Sequence, residues 1–222
     1  YFSITATDVQ VLCGPETEAC ERTYGVKRLR NECVHEWGLR TLITKVQKTF
    51  AEKNIVVIPL LSLSHKHYLK IIFKTEKDAK KTSQLLKTHK ILMYCEKCKN
   101  RKYIEIGETK KCDICGNGDT IIRGPFYSGL IHDSEFVDEL IKEIEKRNYK
   151  NKDEELKFLN RIKNENFEGI CYDIHNIFKG GEIPKTELIF DKLKNENFKF
   201  AITQYNENWI IRSNAPFDKI RK

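Results

Sequence analysis

The 222-residue chain has a single methionine, Met93, and none at position 1. The run Tyr1-Phe-Ser-Ile-Thr-Ala reads as a strand entered part-way, so the sequence is expected to be a piece of a longer protein. No apolar stretch approaches the roughly 20 residues that a membrane span needs; the longest, Ile55 to Leu63, is about half that. The N-terminus lacks the basic, apolar and small-residue order of a secretory signal. There is no Walker A loop, no complete GxGxxG, no HExxH and no GxSxG, and Gly116-Asn-Gly118 lacks a third glycine. These absences exclude a membrane protein, a collagen, a coiled coil and a disulfide scaffold, and leave no visible cofactor-binding loop. With the cysteine spacing below, they point to a reducing cytoplasm.

What is present is a core and an uneven charge. At 40% hydrophobic and 32% charged residues, the chain buries a real core under a well-solvated surface. Its net charge is +8, yet the segment from His65 to Lys111 alone holds 14 Lys and Arg against 5 Asp and Glu, a local +9. A lysine-rich solvated face is the plain reading of such a block. Clustered cations also attract phosphates and release their counterions on binding, and the block favours a nucleic-acid partner.

Four sections follow one another. The first, Tyr1 to about Asn54, predicts a strand, a loop from Asp8 to Pro15, a short helix from Glu16 to Tyr24 stopped by Gly25, and a helix from about Glu32 to Lys53. Leu39, Leu42, Ile43, Val46 and Phe50 fall on one face of that helix. The second, Ile55 to Tyr94, reads strand, strand, helix, strand, with Thr75 and Asp78 ahead of the helix from Ala79 to Thr88. The third, Cys95 to about Gly129, is the cysteine module. The fourth predicts helices at Glu135 to Arg147 (capped by Ser134), Asp153 to Asn164, Tyr172 to Phe178 and Pro184 to Asn195, the third broken by Gly180-Gly181. A hairpin from Phe198 to Arg212 turns at Tyr205-Asn-Glu-Asn. Three helices and a two-stranded wing fit a winged helix over 150–212, and also fit ordinary packing.

Cys95-Glu-Lys-Cys98 and Cys112-Asp-Ile-Cys115-Gly116 are separated by thirteen residues, with a strand expected from Lys102 to Ile106. Two residues between sulfurs let each pair wrap one tetrahedral metal in a tight knuckle, and Gly116 eases the chain out of the second. Four thiolates close the shell, so the zinc is expected to be structural. Two disulfides, a redox pair and an iron–sulfur cluster are the alternatives, and neither pair opens a helix as a redox motif does. Cys13, Cys20, Cys33 and Cys171 lack this spacing and read as idle or buried thiols. A Cys33–His35 pairing is disfavoured because side chains two apart on a helix diverge.

Thr7 and Asp8 lie where a strand ends, the place where open α/β sheets bind ligands, so Asp8 is a candidate for a substrate hydrogen bond or proton. A turn or cap aspartate is its commoner role. Glu36 and Arg40 form an i,i+4 pair readable as a surface ion pair. Gly38 inside that helix costs roughly 1 kcal/mol relative to alanine, which calls for a close neighbour.

In order, Thr5-Ala-Thr-Asp-Val-Gln-Val-Leu-Cys-Gly14, Ala19-Cys-Glu-Arg-Thr-Tyr-Gly25, His35-Glu-Trp-Gly-Leu-Arg40, His67-Tyr-Leu-Lys70, the paired CxxC motifs, Gly124-Pro-Phe-Tyr-Ser-Gly-Leu-Ile-His-Asp133 and Ile211-Arg-Ser-Asn-Ala-Pro216 resemble the tRNA guanine-26 N2-dimethyltransferases. That resemblance implies S-adenosylmethionine-dependent methylation of the exocyclic N2 of a guanine brought out of its stack. It implies an α/β plus α+β fold: the end of a class I methyltransferase Rossmann-like domain at 1–54, then a tRNA-binding α+β domain at 55–222. The second contains a four-cysteine zinc ribbon at 95–116 and a winged-helix-like tail at 150–212. The family's glycine-rich cofactor loop and Asp-Pro-Phe/Pro motif are absent from these residues, so the S-adenosylmethionine site is expected upstream, in a missing N-terminal methyltransferase portion. This chain alone is then expected to be inactive. Thr7 and Asp8 would line the pocket, Cys95, Cys98, Cys112 and Cys115 would hold zinc, and His35, Arg40, His67, Lys70, Lys102 and Arg123 would contact tRNA. Tyr68, Tyr103, Phe126 and Tyr127 are aromatic candidates for stacking or packing. The competing reading is a non-enzymatic zinc-ribbon and winged-helix nucleic-acid-binding protein, which leaves the Thr-Ala-Thr-Asp and His-Glu-Trp-Gly-Leu-Arg segments unexplained.

Overall fold

The computed structural model describes residues 1–65, 67–105, 111–179, 181–205 and 209–221. The chain opens with β1 (Phe2–Ala6), α1 (Val9–Leu12), α2 (Thr17–Tyr24), α3 (Val34–Ala51), β2 (Ile55–His65), β3 (Tyr68–Lys77) and α4 (Ala79–Leu86). The three strands form an antiparallel sheet in the order β1-β3-β2. Alternation along the strands sets the inner face. Phe2, Ile4 and Ala6 lie opposite Phe73, Ile71 and Leu69, and α3 lays Leu39, Leu42, Ile43 and Val46 on them. Each such side chain contributes roughly 1.5–3 kcal/mol when fully buried. Phe2 stacks between Phe50 and Phe73 at 5.0 and 5.1 Å. Pro59, which cannot donate to the ladder, sits at the register shift in β2. Because β1 pairs with β3, this sheet runs across the expected domain boundary at residue 54.

β4 (His89–Tyr94), β5 (Arg101–Ile104) and β6 (Ile121–Tyr127) follow, with the order β5-β4-β6. Leu92, Tyr94 and Phe126 pack with Trp37 of α3, so this second sheet shares a core with the first helix layer. Then come α5 (Ser134–Glu145), α6 (Lys152–Glu165), β7 (Ile170–Asp173), α7 (Ile174–Ile177), α8 (Thr186–Asn195), β8 (Phe200–Ile202), β9 (Ile210–Ser213) and α9 (Phe217–Arg221). Val137 and Ile141 of α5, with Leu159 and Ile162 of α6, cover Leu61 of β2 on the face opposite α3, giving a helix–sheet–helix sandwich. The last strands order as β7-β9-β8, all antiparallel. Among the described residues, no helix is long and apolar enough to cross a membrane.

Local chemistry explains where the elements depart from the expected ones. The Asp8 to Pro15 loop contains a turn of helix, α1, whose Leu12 is buried. Asp133, not Ser134, caps α5, accepting from the Phe136 N–H at 2.8 Å. Tyr172 belongs to a strand, because β9 offers it backbone partners that are remote in sequence. α8 starts at Thr186, after Pro184 and the extended Lys185. α9 has no counterpart in the expected elements. Ile106, Gly180 and residues 206–208, which belong to the expected strand end, helix break and turn, lie outside the described residues.

Candidate functional site

The four module cysteines converge. Their sulfurs all lie within 4.8 Å of one another, with Cys95–Cys115 and Cys98–Cys112 contacts of 3.6 Å. A disulfide would close this gap to about 2.05 Å. Zinc with Zn–S bonds of about 2.3 Å needs tetrahedral edges of about 3.8 Å, so the residues fit that metal. The two knuckles are built alike. Lys99 N–H donates to the Cys95 carbonyl at 2.7 Å, and Gly116 N–H to that of Cys112 at 2.9 Å. The residue leaving each knuckle is left-handed, Lys99 at φ 69° and Gly116 at φ 70°; only the second is a glycine, which takes that conformation without strain. Burial opposes ionisation of Cys112, but the N–H groups of Cys115 and Ile114 and the Asn100 amide bring its thiol down to about 7.

At the carboxyl end of β1, Thr7 is exposed and Asp8 is half-buried. Asp8 makes no side-chain cap on α1; instead its Oδ2 accepts from the Tyr24 hydroxyl at 2.6 Å. Burial and that carboxylate raise the Tyr24 pKa, so the phenol stays a donor. The residues expected to contact tRNA divide. His67 is exposed, and Lys70, Lys102 and Arg123 are half-buried; Lys102 pairs with Asp113 at 2.7 Å, and Arg123 donates to the Ile122 carbonyl at 2.8 Å. Lys74, Lys77, Lys80, Lys87 and Lys97 of the basic block are exposed.

His35 and Arg40 turn inward. His35 Nδ1 lies 3.0 Å from Ser64 Oγ, and burial lowers its pKa; Cys33 contacts Arg101 instead, so no Cys33–His35 pair forms. Arg40 is 2% exposed and donates to Glu36 at 2.8 Å and to the Tyr127 and Gly129 carbonyls at 2.7 and 3.0 Å. The Glu36–Arg40 pair is therefore interior, not a surface ion pair. The other Glu36 oxygen takes Arg212 of β9 at 2.8 Å. Burial would raise the Glu36 pKa, but Arg212 and Arg40 hold it down at about 2. Beside them Glu165 is pushed up to about 7 by burial, with Arg212 opposing. Phe126 and Tyr127 are buried packing residues, and Tyr103 packs against the same core as Phe126. Gly38 has the close neighbour its helix position demands: a Cβ there would sit 2.7 Å from Cys13 Sγ and 3.1 Å from the Leu12 carbonyl.

Residues 1–222 match the family described as N2,N2-dimethylguanosine tRNA methyltransferase. The chain belongs to this family. It is 34% identical to the tRNA (guanine(26)-N(2))-dimethyltransferase of Methanobrevibacter smithii, over 99% of this chain and 58% of that protein. It is 38% identical to the tRNA (guanine(26)-N(2)/guanine(27)-N(2))-dimethyltransferase of Aquifex aeolicus, over 66% of this chain and 38% of that protein. The structure of Trm1 from Pyrococcus horikoshii in complex with S-adenosyl-L-methionine superposes with a TM-score of 0.85 at 25% identity, covering 98% of this chain and 57% of that one. The chain thus spans somewhat over half the length of relatives that match it throughout.

Within this member of the family, sequence reasoning missed Arg212 and two asparagines. Asn100 and Asn117 each follow their knuckle by two residues, in a repeated C-x-x-C-x-N pattern that was there to be read. No local pattern marks Arg212, whose partner Glu36 is 176 residues away.

Proposed function

We propose that this chain is the tRNA-handling portion of a tRNA guanine-26 N2-dimethyltransferase, which transfers methyl groups from S-adenosylmethionine to the exocyclic amine of guanine. The observation that carries the reading is the family match over residues 1–222, joined to relatives named for that reaction. The relatives are longer, and the cofactor loop and principal catalytic motif are assigned to a methyltransferase portion outside these residues. The cofactor supplies the methyl group there. In this chain Asp8, steadied by the Tyr24 hydroxyl, and the exposed Thr7 line the end of the target-base pocket, where a carboxylate orients or accepts a proton from the amino group. Since β1, β2 and β3 share one sheet, the methyltransferase layer reaches to about Lys77 instead of ending at residue 54.

Cys95, Cys98, Cys112 and Cys115 hold a structural zinc that pins β4 and β5 at the edge of the basic block. His67, Lys70, Lys102 and Arg123, with the exposed lysines of β3 and α4, meet tRNA phosphates; Arg40 and His35 serve the interior. Helix α6, then β7, α7, α8, β8 and β9 in the order β7-β9-β8 support a winged-helix-like tail. Eight cysteines without a disulfide suit work in a reducing cytoplasm.

Fluorescence titration with tRNA tests the reading. About four phosphate contacts weaken binding on the order of 100-fold between 50 and 200 mM salt. Exchanging Lys70 and Lys74 for Glu should remove two of those contacts and cut the salt effect to roughly tenfold. Salt-insensitive binding would count against this reading, and a preference for duplex DNA over tRNA would favour the non-enzymatic one.

A further inference from the structure

The two asparagines that close the knuckles are used identically and in exchange. The Asn100 carbonyl accepts the Cys95 N–H and the Asn117 carbonyl accepts the Cys112 N–H, both at 2.8 Å. The backbone N–H of Asn100 serves Cys98, and that of Asn117 serves Cys115. Each side chain then crosses over. Asn100 Nδ2 donates to Cys112 Sγ, and Asn117 Nδ2 donates to Cys95 Sγ, both at 3.7 Å. Each amide is itself fixed, Asn100 by Asp113 Oδ1 at 2.9 Å and Asn117 by the Asp119 carbonyl at 2.8 Å. A pseudo-twofold axis therefore relates the halves, and each half supplies the amide that caps the first sulfur of the other.

We propose that Asn100 and Asn117 are paired positioning residues that retain the metal by donating amide hydrogen bonds across the axis to the Cys112 and Cys95 thiolates. The proposal rests on the reading of the four cysteines as a zinc site. Four thiolates around one dication leave a net charge of −2, concentrated on sulfur. With zinc bound, a cysteine thiolate that took a proton from solvent would lose its hold on the metal, and an external chelator would compete for the place it gave up. An N–H donor aimed at the sulfur withdraws that charge, weakens its affinity for the proton and holds its lone pair toward the metal. Outer partners of this kind typically change metal affinity 10–100-fold. Because each amide guards the opposite knuckle, loss of either one loosens both halves, and the two effects do not add as independent ones do.

The test compares the folded protein with Asn100→Ala, Asn117→Ala and the double variant, loaded with one zinc per chain. Zinc transfer to a chromogenic chelator gives a release rate, and cobalt substitution gives the sulfur-to-metal charge-transfer band. Each single variant should release zinc about tenfold faster and shift the cobalt band to lower energy, since an unbonded sulfur gives up its electron more readily. Asn117 is half-exposed, so its variant keeps the test available should Asn100→Ala fail to fold. Release at the wild-type rate, or faster release with an unshifted band, would overturn the proposal while leaving zinc binding intact. A wild-type protein that takes up no zinc would overturn the zinc reading itself.

Discussion

Replacing Glu36 with glutamine removes one negative charge from between two buried guanidiniums. Glu36 is 1% exposed and both its oxygens are engaged at 2.8 Å, by Arg40 Nε and Arg212 Nη2. Its pKa stands at about 2 in the folded protein, against about 4.3 for a free glutamate. A depression of roughly two units corresponds to about 3 kcal/mol of stability at neutral pH, and breaking a buried ion pair on one side costs about 3–5 kcal/mol. The two routes agree. Urea unfolding at pH 7 should therefore show Glu36→Gln less stable by about 3 kcal/mol. The contribution is complete above the unfolded pKa and disappears as pH falls from about 4.3 toward 2, so the variant should lack that part of the wild-type acid sensitivity. Adding Arg212→Met to the variant should cost less than the sum of the two single changes, because they share one interaction. A loss below about 1 kcal/mol, or additive effects, would refute the electrostatic account.

The other predictions concern neighbouring parts of the same frame. Gly38→Ala should cost about 1–3 kcal/mol by overpacking despite alanine's better helix propensity, and Cys13→Ala should restore part of it by removing the sulfur at 2.7 Å. Glu165 titrates the opposite way from Glu36. Its folded pKa, about 7, lies above the unfolded value, so its contribution is present at low pH and is lost as pH rises through about 7. Glu165→Gln should flatten the fall in melting temperature between pH 5 and 8.

Patterns confined to one element were legible in the sequence. The apolar stripe of α3 announced both helix and buried face, the CxxC spacing announced a converging sulfur cluster, and Gly38 announced a close approach. Patterns whose meaning is supplied from afar were not. Glu36 and Arg40 look like a surface pair until Arg212 arrives from β9, and Tyr172 looks helical until β9 pairs with its backbone. A pairing of the same long-range kind crosses the expected boundary at residue 54. Helix α3 and strand β2 are separable by eye, whereas the pairing of β1 with β3 is a long-range fact. His35 and Arg40, expected to contact tRNA, bond within the protein, Arg40 to the Tyr127 carbonyl and His35 to Ser64, partners that no local pattern announces.

The position of β9 has a consequence for synthesis. It is the middle strand of its sheet, holding β7 and β8 apart, yet it follows both in the chain. A ribosome that has released α3 has still to make about 160 residues before Arg212 can reach Glu36. Until then the nascent chain carries a Glu36–Arg40 pair without its second guanidinium and two strands with nothing between them, a state of high contact order that folds slowly and exposes open edges. Premature termination just before β9 would thus cost far more than the thirteen residues it removes: it would leave helix α3 and the last sheet without their common partner.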